Sequence, residues 1–218
     1  MPVAIYITAH SVISRHKVFK NGLCVFENKD TDLAGFLIAA YRRLDTNYPK
    51  FYKMDGLAKL GWLAAEVLLK DSFEEGKYKP EEVGIMLNNS SSSLDTDLKY
   101  FESTKEIASP ALFVYTLPNI VIGEICIKHK FKGEGAFFIF EAFDAAFIEK
   151  YVSNLINNNI LQACICGWVE LTGEEYKAVL YLVEKGEKRA DHLLPAVERA
   201  MVAFTKENLN KIYYLENG

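Results

Sequence analysis

The sequence is poor in the features that most directly declare a function. Its four cysteines, Cys24, Cys126, Cys164 and Cys166, contain no CxxC pair. Zinc ribbons and thioredoxin-type redox sites use that spacing, so reduced core thiols are expected, with no metal site and no disulfide. Cys164 and Cys166 lie two apart in an apolar run and, on a strand, face the same way. No apolar run nears the roughly 18 residues that cross a bilayer, so no membrane span is expected. The opening MPVAIYITAH lacks the basic region, apolar core and small-residue cleavage site of a secretion signal. A cytoplasmic address is the resulting expectation. Positive charge is also scarce: 25 Lys and Arg stand against 29 Asp and Glu, a net charge of −4. The cations are scattered, so no nucleic-acid face is expected. The densest basic stretch, KHKFK (Lys128–Lys132), reads as a solvated turn.

What is present is the material of a full core. Half of the 218 residues are apolar and a quarter charged, an ordinary balance for a globular α/β protein. Val3–Ser14 is β-branched and apolar, a buried strand. Asn21-Gly22 between two short apolar runs marks a hairpin. Leu57, Leu60, Leu63, Ala64, Val67 and Leu68 recur at helical spacing, with Asp55 placed to cap them. Val83–Leu87 reads as a strand, and the serine loop after it as a helix entry capped by Asp95 or a neighbouring serine. Ile120, Ile122, Ile125 and Ile127 again follow a helical pattern. Two further strands, in LQACICGWVEL and YKAVLYLVEK, flank the turn-like TGEE. LLPAVERAMVAFTKENL reads as a last helix with Pro195 in its first turn, and KIYYLENG as a short closing strand. The order is strand, helix, strand, helix, strand, helix, strand, strand, helix. Continuous apolar runs, rather than alternation, indicate strands covered on both faces and hence a layered α/β domain. There is no internal repeat and no long linker.

The segment Gly133–Phe147, GEGAFFIFEAFDAAF, poses the functional question. Ala136–Glu141 reads as a buried strand that turns at once into a helix. Such a junction is a common mount for a nucleophile, because the helix amides stabilise a developing anion. Here it offers Phe140, Glu141, Ala142 and Phe143, without Ser or Cys.

Several segments in order resemble the β-ketoacyl synthase family, the condensing enzymes of fatty-acid and polyketide assembly. VGIMLNNSSSSLDTDLKYFES looks like that family's second strand with its glycine-rich loop, serines standing here where the family has glycines. SPALFVYTLPNIVIGEICIKHKFKGEG is similar to its pocket signature, through Ser109-Pro110, Leu117-Pro118-Asn119, Gly123 and Lys132-Gly133. LQACICGWVEL matches its next strand, with Gly167 and Glu170. The resemblance runs over about residues 1–185 and is strongest between 82 and 170. It implies a thiolase-like half domain, a five-stranded mixed sheet covered by helices on both faces. The expected organisation is one ketosynthase N-terminal-like domain over 1–218, with 185–218 a divergent C-terminal helix and tail.

In that family the strand over Ala136–Phe140 ends at a nucleophilic cysteine that carries the acyl chain. The position falls here on Ala142, or on Glu141 if the alignment slips by one. The family's two assisting histidines belong to a second half that the resemblance does not reach, and His10, His16, His129 and His192 lie outside its motifs. No catalytic residue for condensation is therefore expected, and no cofactor. The resemblance implies a partner or chain-length-factor role in fatty-acid, polyketide or aryl-polyene-type assembly. The implied partners are a second copy or a full-length ketosynthase, with an acyl carrier protein. Ala136, Phe137, Phe138, Ile139 and Phe140 would form the pairing strand of the dimer. Tyr115, Leu117, Pro118, Asn119, Phe140 and Phe143 would line the acyl pocket. Two alternatives stay open: an acyl-thioester decarboxylase or hydrolase using Glu141, and a purely structural subunit. For Glu141 the plainer readings are a helix cap or a solvent-facing side chain.

Overall fold

A computed structural model describes residues 3–186 and 201–214. Its frame is one mixed sheet. Strand β1 is Ile5–Ser14, β2 Lys17–Lys20, β3 Leu23–Glu27, β4 Val83–Asn89, β5 Gly135–Ile139, β6 Ala163–Thr172, β7 Glu175–Lys185 and β8 Val202–Ala203. The order across the sheet is β3-β2-β1-β7-β6-β4-β5, with β8 beside β1. The five strands β1, β7, β6, β4 and β5 form the expected half-domain core, yet among the described residues the sheet holds eight. The extension comes from the length of β1. Its Ser11–Ser14 half pairs with β2, and Tyr6 and Ile7 pair with β8. The hairpin turn is the one the sequence signals: Asn21 and Gly22 both have positive φ, 49° and 80°, as a type I′ turn requires.

Helices cover both faces. Helix α1 is Leu33–Arg43, α2 Gly56–Leu69, α3 Leu94–Ser103, α4 Pro110–Val114, α5 Ile120–His129, α6 Ala145–Asn157 and α7 Lys206–Tyr214. One apolar layer joins α1, α2 and α5 to Ile85, Leu87, Ile165, Leu180 and Leu182 of the sheet. The other joins α6 and α7 to Met86, Cys164, Cys166, Tyr181 and Val183. Alternate strand residues thus serve opposite layers, and the two cysteines of β6 share a face. In β1 the parity breaks at a bulge between Ile7 and Ala9. Ile7 consequently joins the α6–α7 layer while Ala9 and Ile13 join the other.

Asp55 caps α2, accepting from the Ala58 amide at 2.8 Å. Helix α1 was not among the expected elements, although Leu33, Phe36, Leu37, Ala40 and Tyr41 bury one face at helical spacing behind an Asp32 cap. The expected last helix needs correction in its described part. Val202 and Ala203 are a strand against β1, and helix begins only at Lys206. Thr205 marks the start, its carbonyl accepting from Leu209 N at 2.9 Å. The expected closing strand is also corrected, since Lys211–Tyr214 completes α7. The remainder of both expectations, Pro195 included, lies outside the described residues, as does His192. No described helix is long and apolar enough to cross a membrane.

Gly167 is a backbone requirement of β6. Its φ is +146°, and a Cβ there would stand 2.0 Å from the Val179 carbonyl oxygen of β7. Only glycine tolerates both conditions.

Candidate functional site at the open sheet edge

The topology draws attention to one end of the sheet. β5 and β6 flank β4 on opposite sides and both run parallel to it. The β4–β5 crossover carries α5 to one apolar layer, and the β5–β6 crossover carries α6 to the other. The carboxyl ends of β4, β5 and β6 therefore meet at a topological switch point, where open α/β sheets place ligands. The sequence there is Asn88-Asn89-Ser90, Phe140-Glu141-Ala142 and Trp168 to Glu170.

The serine loop at the end of β4 is held by its own polar groups. Ser90 donates both its amide and its hydroxyl to Glu170 Oε2, at 2.7 and 2.5 Å. Asn89 exchanges two hydrogen bonds with the Ser92 backbone, at 2.8 and 3.0 Å. Ser93 is the cap position of α3, but its hydroxyl donates to Thr116 O and meets the Asp97 carboxylate.

β5 ends at Ile139, two residues before the end of the expected strand Ala136–Glu141, and begins at Gly135. Phe140 continues the pairing only through its amide, 2.9 Å from Asn89 O. Helix α6 begins at Ala145, so the strand does not run directly into the helix. Its cap is Asp144, whose carboxylate accepts from Phe147 N at 2.9 Å. Glu141 and Ala142 lie exposed in the connection. Glu141 is thus solvent-facing and is not the cap. With Asp144 already at the helix N-terminus, the positive end that would stabilise a nucleophilic anion carries a carboxylate instead.

None of the four cysteines stands at this junction. Cys164 and Cys166 are fully buried, and burial pushes Cys164 up to about 12 and Cys166 well above its ordinary value. Burial also raises Cys126, and Cys24 is exposed on β3 at the far edge. Thiols so raised carry little thiolate. His10 lies on β1, His16 follows β1, and His129 ends α5 with Nε2 2.5 Å from Glu66 Oε1.

Among the described residues β5 is the outermost strand on its side, paired along one edge only, with β4. Its residues GAFFI include neither the charge nor the proline that usually blunts such an edge. Phe138, Phe140, Phe147 and Tyr151 form a half-buried aromatic cluster on the α6 side. Phe140 meets Phe147 at 4.8 Å and Phe138 meets Tyr151 at 5.2 Å between ring centroids. Phe137 packs on the opposite layer, and Ile139 remains 48% exposed. The α3–α4 part of the β4–β5 crossover is also apolar and exposed: Leu98, Phe101, Phe113 and Leu117 are each more than half accessible. Apolar side chains left in water along one stretch mark an association surface.

The expected pocket residues divide between the two layers. Tyr115 packs with the α1–α2–α5 layer, and Phe143 with the α6–α7 layer. Tyr115 donates to Glu124 Oε1 at 3.2 Å, and Lys50 Nζ sits 2.9 Å from Glu124 Oε2. Burial, then Glu124, push the Tyr115 phenol far above its ordinary value. Leu117 and Asn119 are exposed and Pro118 is half-buried, with Asn119 at the start of α5. Phe143 stacks on Tyr213. Sequence reasoning missed Glu124, which is 4% exposed. Its signal was a lone carboxylate in the apolar helix run IVIGEICI, which demands a buried partner.

No protein-family model and no curated protein matches the sequence. Solved structures do match in shape. The ishigamide ketosynthase/chain length factor aligns at TM-score 0.58 and 15% identity, over 84% of this chain and 62% of that one. AntDE:AntF is a type II PKS acyl-carrier protein in complex with its ketosynthase bound to the hexaketide. It aligns at 0.57 and 15%, over 85% and 64%. The ketosynthase ApeO in complex with its chain length factor ApeC, from Xenorhabdus doucetiae, aligns at 0.54 and 15%, over 84% and 80%. The chain thus spans under two thirds of the length of the first two and has the α/β thiolase-like fold of these proteins.

Proposed function

We propose that this chain is a ketosynthase-like subunit that does not itself condense acyl groups. It works beside a ketosynthase in fatty-acid, polyketide or aryl-polyene-type assembly, as a partner or chain-length factor. Residues 1–218 serve as one domain closed by a divergent tail, acting in the cytoplasm with an acyl carrier protein. The observation that carries this reading is the pairing of two features in one segment. The nucleophile position is exposed Ala142 or Glu141, while the strand leading to it presents an apolar edge that no other described strand pairs with. Loss of chemistry with retention of an association surface is what a non-condensing partner needs. Each phenylalanine buried on pairing contributes roughly 1.5–3 kcal/mol, so Ala136–Phe140 would pair with its counterpart in a second copy or in a full-length ketosynthase.

In this reading Phe140 and Phe143, with Tyr115, Leu117, Pro118 and Asn119, bound the acyl chain once the partner closes the site. The test mixes the purified chain with a full-length ketosynthase and carrier protein from the same cell. A stable complex on size exclusion is expected, weakened at least tenfold by Ile139→Lys, with longer products from Phe140→Ala. Absence of any complex, or products unchanged by Phe140→Ala, rejects the role. Carbon dioxide or free thiol released from an acyl thioester by this chain alone, and lost in Glu141→Gln, would favour an enzyme instead.

A further inference from the structure

The opposite margin of the sheet holds a second opening. Between hairpin β2–β3 and the C-terminal ends of α1 and α2 lies a cavity of about 230 Å³, partly open to solvent. Its walls are apolar, with Val18 and Phe26 from the hairpin, Ala40 and Leu44 from the end of α1, and Leu63 and Val67 from α2. An apolar cavity of about 150 Å³ suffices to admit benzene, so this one accommodates a longer apolar body. Lys20, Arg43, Lys70 and Asp71 stand around it.

The charges of this rim are unevenly matched. Lys70 Nζ donates to Leu44 O at 3.3 Å, which satisfies a carbonyl at the end of α1. Among the described residues, neither the Lys20 nor the Arg43 side chain makes a hydrogen bond or a close ion pair, and Asp71 acts on Lys20 only at longer range. Burial lowers the Lys20 pKa, with Asp71 raising it and Lys70 lowering it further. Three cations face Asp71 and two helix C-termini, each worth about half a negative charge. The balance is positive but small. It suits one negative charge and not a multiply charged phosphate.

We propose that this cavity binds a medium-chain carboxylate, with the chain between hairpin and helices and the head group between Lys20 and Arg43. A neutral alcohol would fill the same walls but leave both cations unmatched. A short carboxylate such as acetate would meet the cations but leave the apolar walls in water. Both halves of the ligand are therefore required. The cavity is separate from β5, at the other margin of the sheet.

Calorimetric titration of the full chain with decanoate, below its micelle-forming concentration, tests this directly. Saturable one-to-one binding is expected, roughly tenfold or more tighter than decanol or acetate, since hydrogen bonds to charged groups carry that much. Lys20→Ala with Arg43→Gln should weaken decanoate at least tenfold and leave decanol unchanged. Val25→Trp, placed on an exposed wall residue so that folding is preserved, should abolish binding of both. Thermal unfolding of each variant confirms the fold. Equal affinity for decanoate and decanol, binding that survives Val25→Trp, or no saturable binding would overturn the proposal.

Discussion

Phe143 lies flat against Tyr213, with ring centroids 4.0 Å apart and planes parallel. The connection between β5 and α6 is thereby clamped by α7. Lys177 reinforces the clamp, its ammonium 4.0 Å from the Tyr213 ring centroid and 2.8 Å from the Tyr213 carbonyl oxygen. Trp168 and Tyr181 complete the aromatic wall around Phe143.

This contact should be measurable as a coupling. Phe143→Ala and Tyr213→Ala are each expected to cost about 2–4 kcal/mol, since both rings are partly buried in the α6–α7 layer. The double mutant should fall short of the sum by about 0.5–1.5 kcal/mol, the usual worth of an aromatic pair beyond its burial. Urea unfolding of the four proteins gives the cycle, and strict additivity would contradict the stack.

Stability should fall in mild acid because of His10. Burial lowers its pKa from 6.5 to about 4. Between those values the unfolded chain binds a proton that the folded chain refuses, so stability declines as pH drops from about 6.5 toward 4. The contribution of this side chain approaches about 3 kcal/mol at the lower limit. His10→Gln should flatten that part of the stability–pH curve, and an unchanged slope would count against the assignment.

Gly167→Ala should be among the most damaging single changes. The added methyl would meet the Val179 carbonyl 2.0 Å away, in a backbone conformation that alanine resists. A loss of about 3 kcal/mol or more is expected, or roughly 6–12 °C in melting temperature for a chain of this size. Gly22→Ala meets no neighbouring atom within 4 Å. It should cost less, through its positive φ alone.

Thiol titration should distinguish a silent junction from a hidden reactive one. In the folded protein Cys24 is exposed and should label fast, Cys126 slowly, and Cys164 and Cys166 only after unfolding. Four thiols should appear in denaturant. A second fast thiol in the folded state would revive covalent acyl transfer as an activity of this chain.

Much of the fold was legible because its signals are local. Asn21-Gly22 specified the hairpin through positive φ, and Asp55 specified the start of α2 through one side-chain hydrogen bond. The paired spacing of Cys164 and Cys166 specified a shared face. Helix α1 carried equally local marks in its Asp32 cap and its apolar spacing. The described tail was misjudged because Met201–Phe204 carries helix-compatible residues whose backbone pairs instead with β1. Tertiary pairing overrides such weak propensity. At the candidate site, the absence of Ser or Cys at 141 and 142 was plain, whereas Asp144 as the cap was visible only once the helix start was placed.

The amino-acid order alone determined the α/β class, the turns and caps, and the lack of Ser or Cys at positions 140–143, since each depends on a few neighbouring residues and their dihedral preferences. The folded chain decided the rest: that the described sheet extends to eight strands with β5 at its margin, that Tyr115 finds Glu124, that Phe143 finds Tyr213, and that Lys20 and Arg43 share one cavity. Apolar burial is non-directional, so a hydrophobic pattern says that these segments pack but not against which partners. That choice is made by the closing of the whole sheet and its two helical layers.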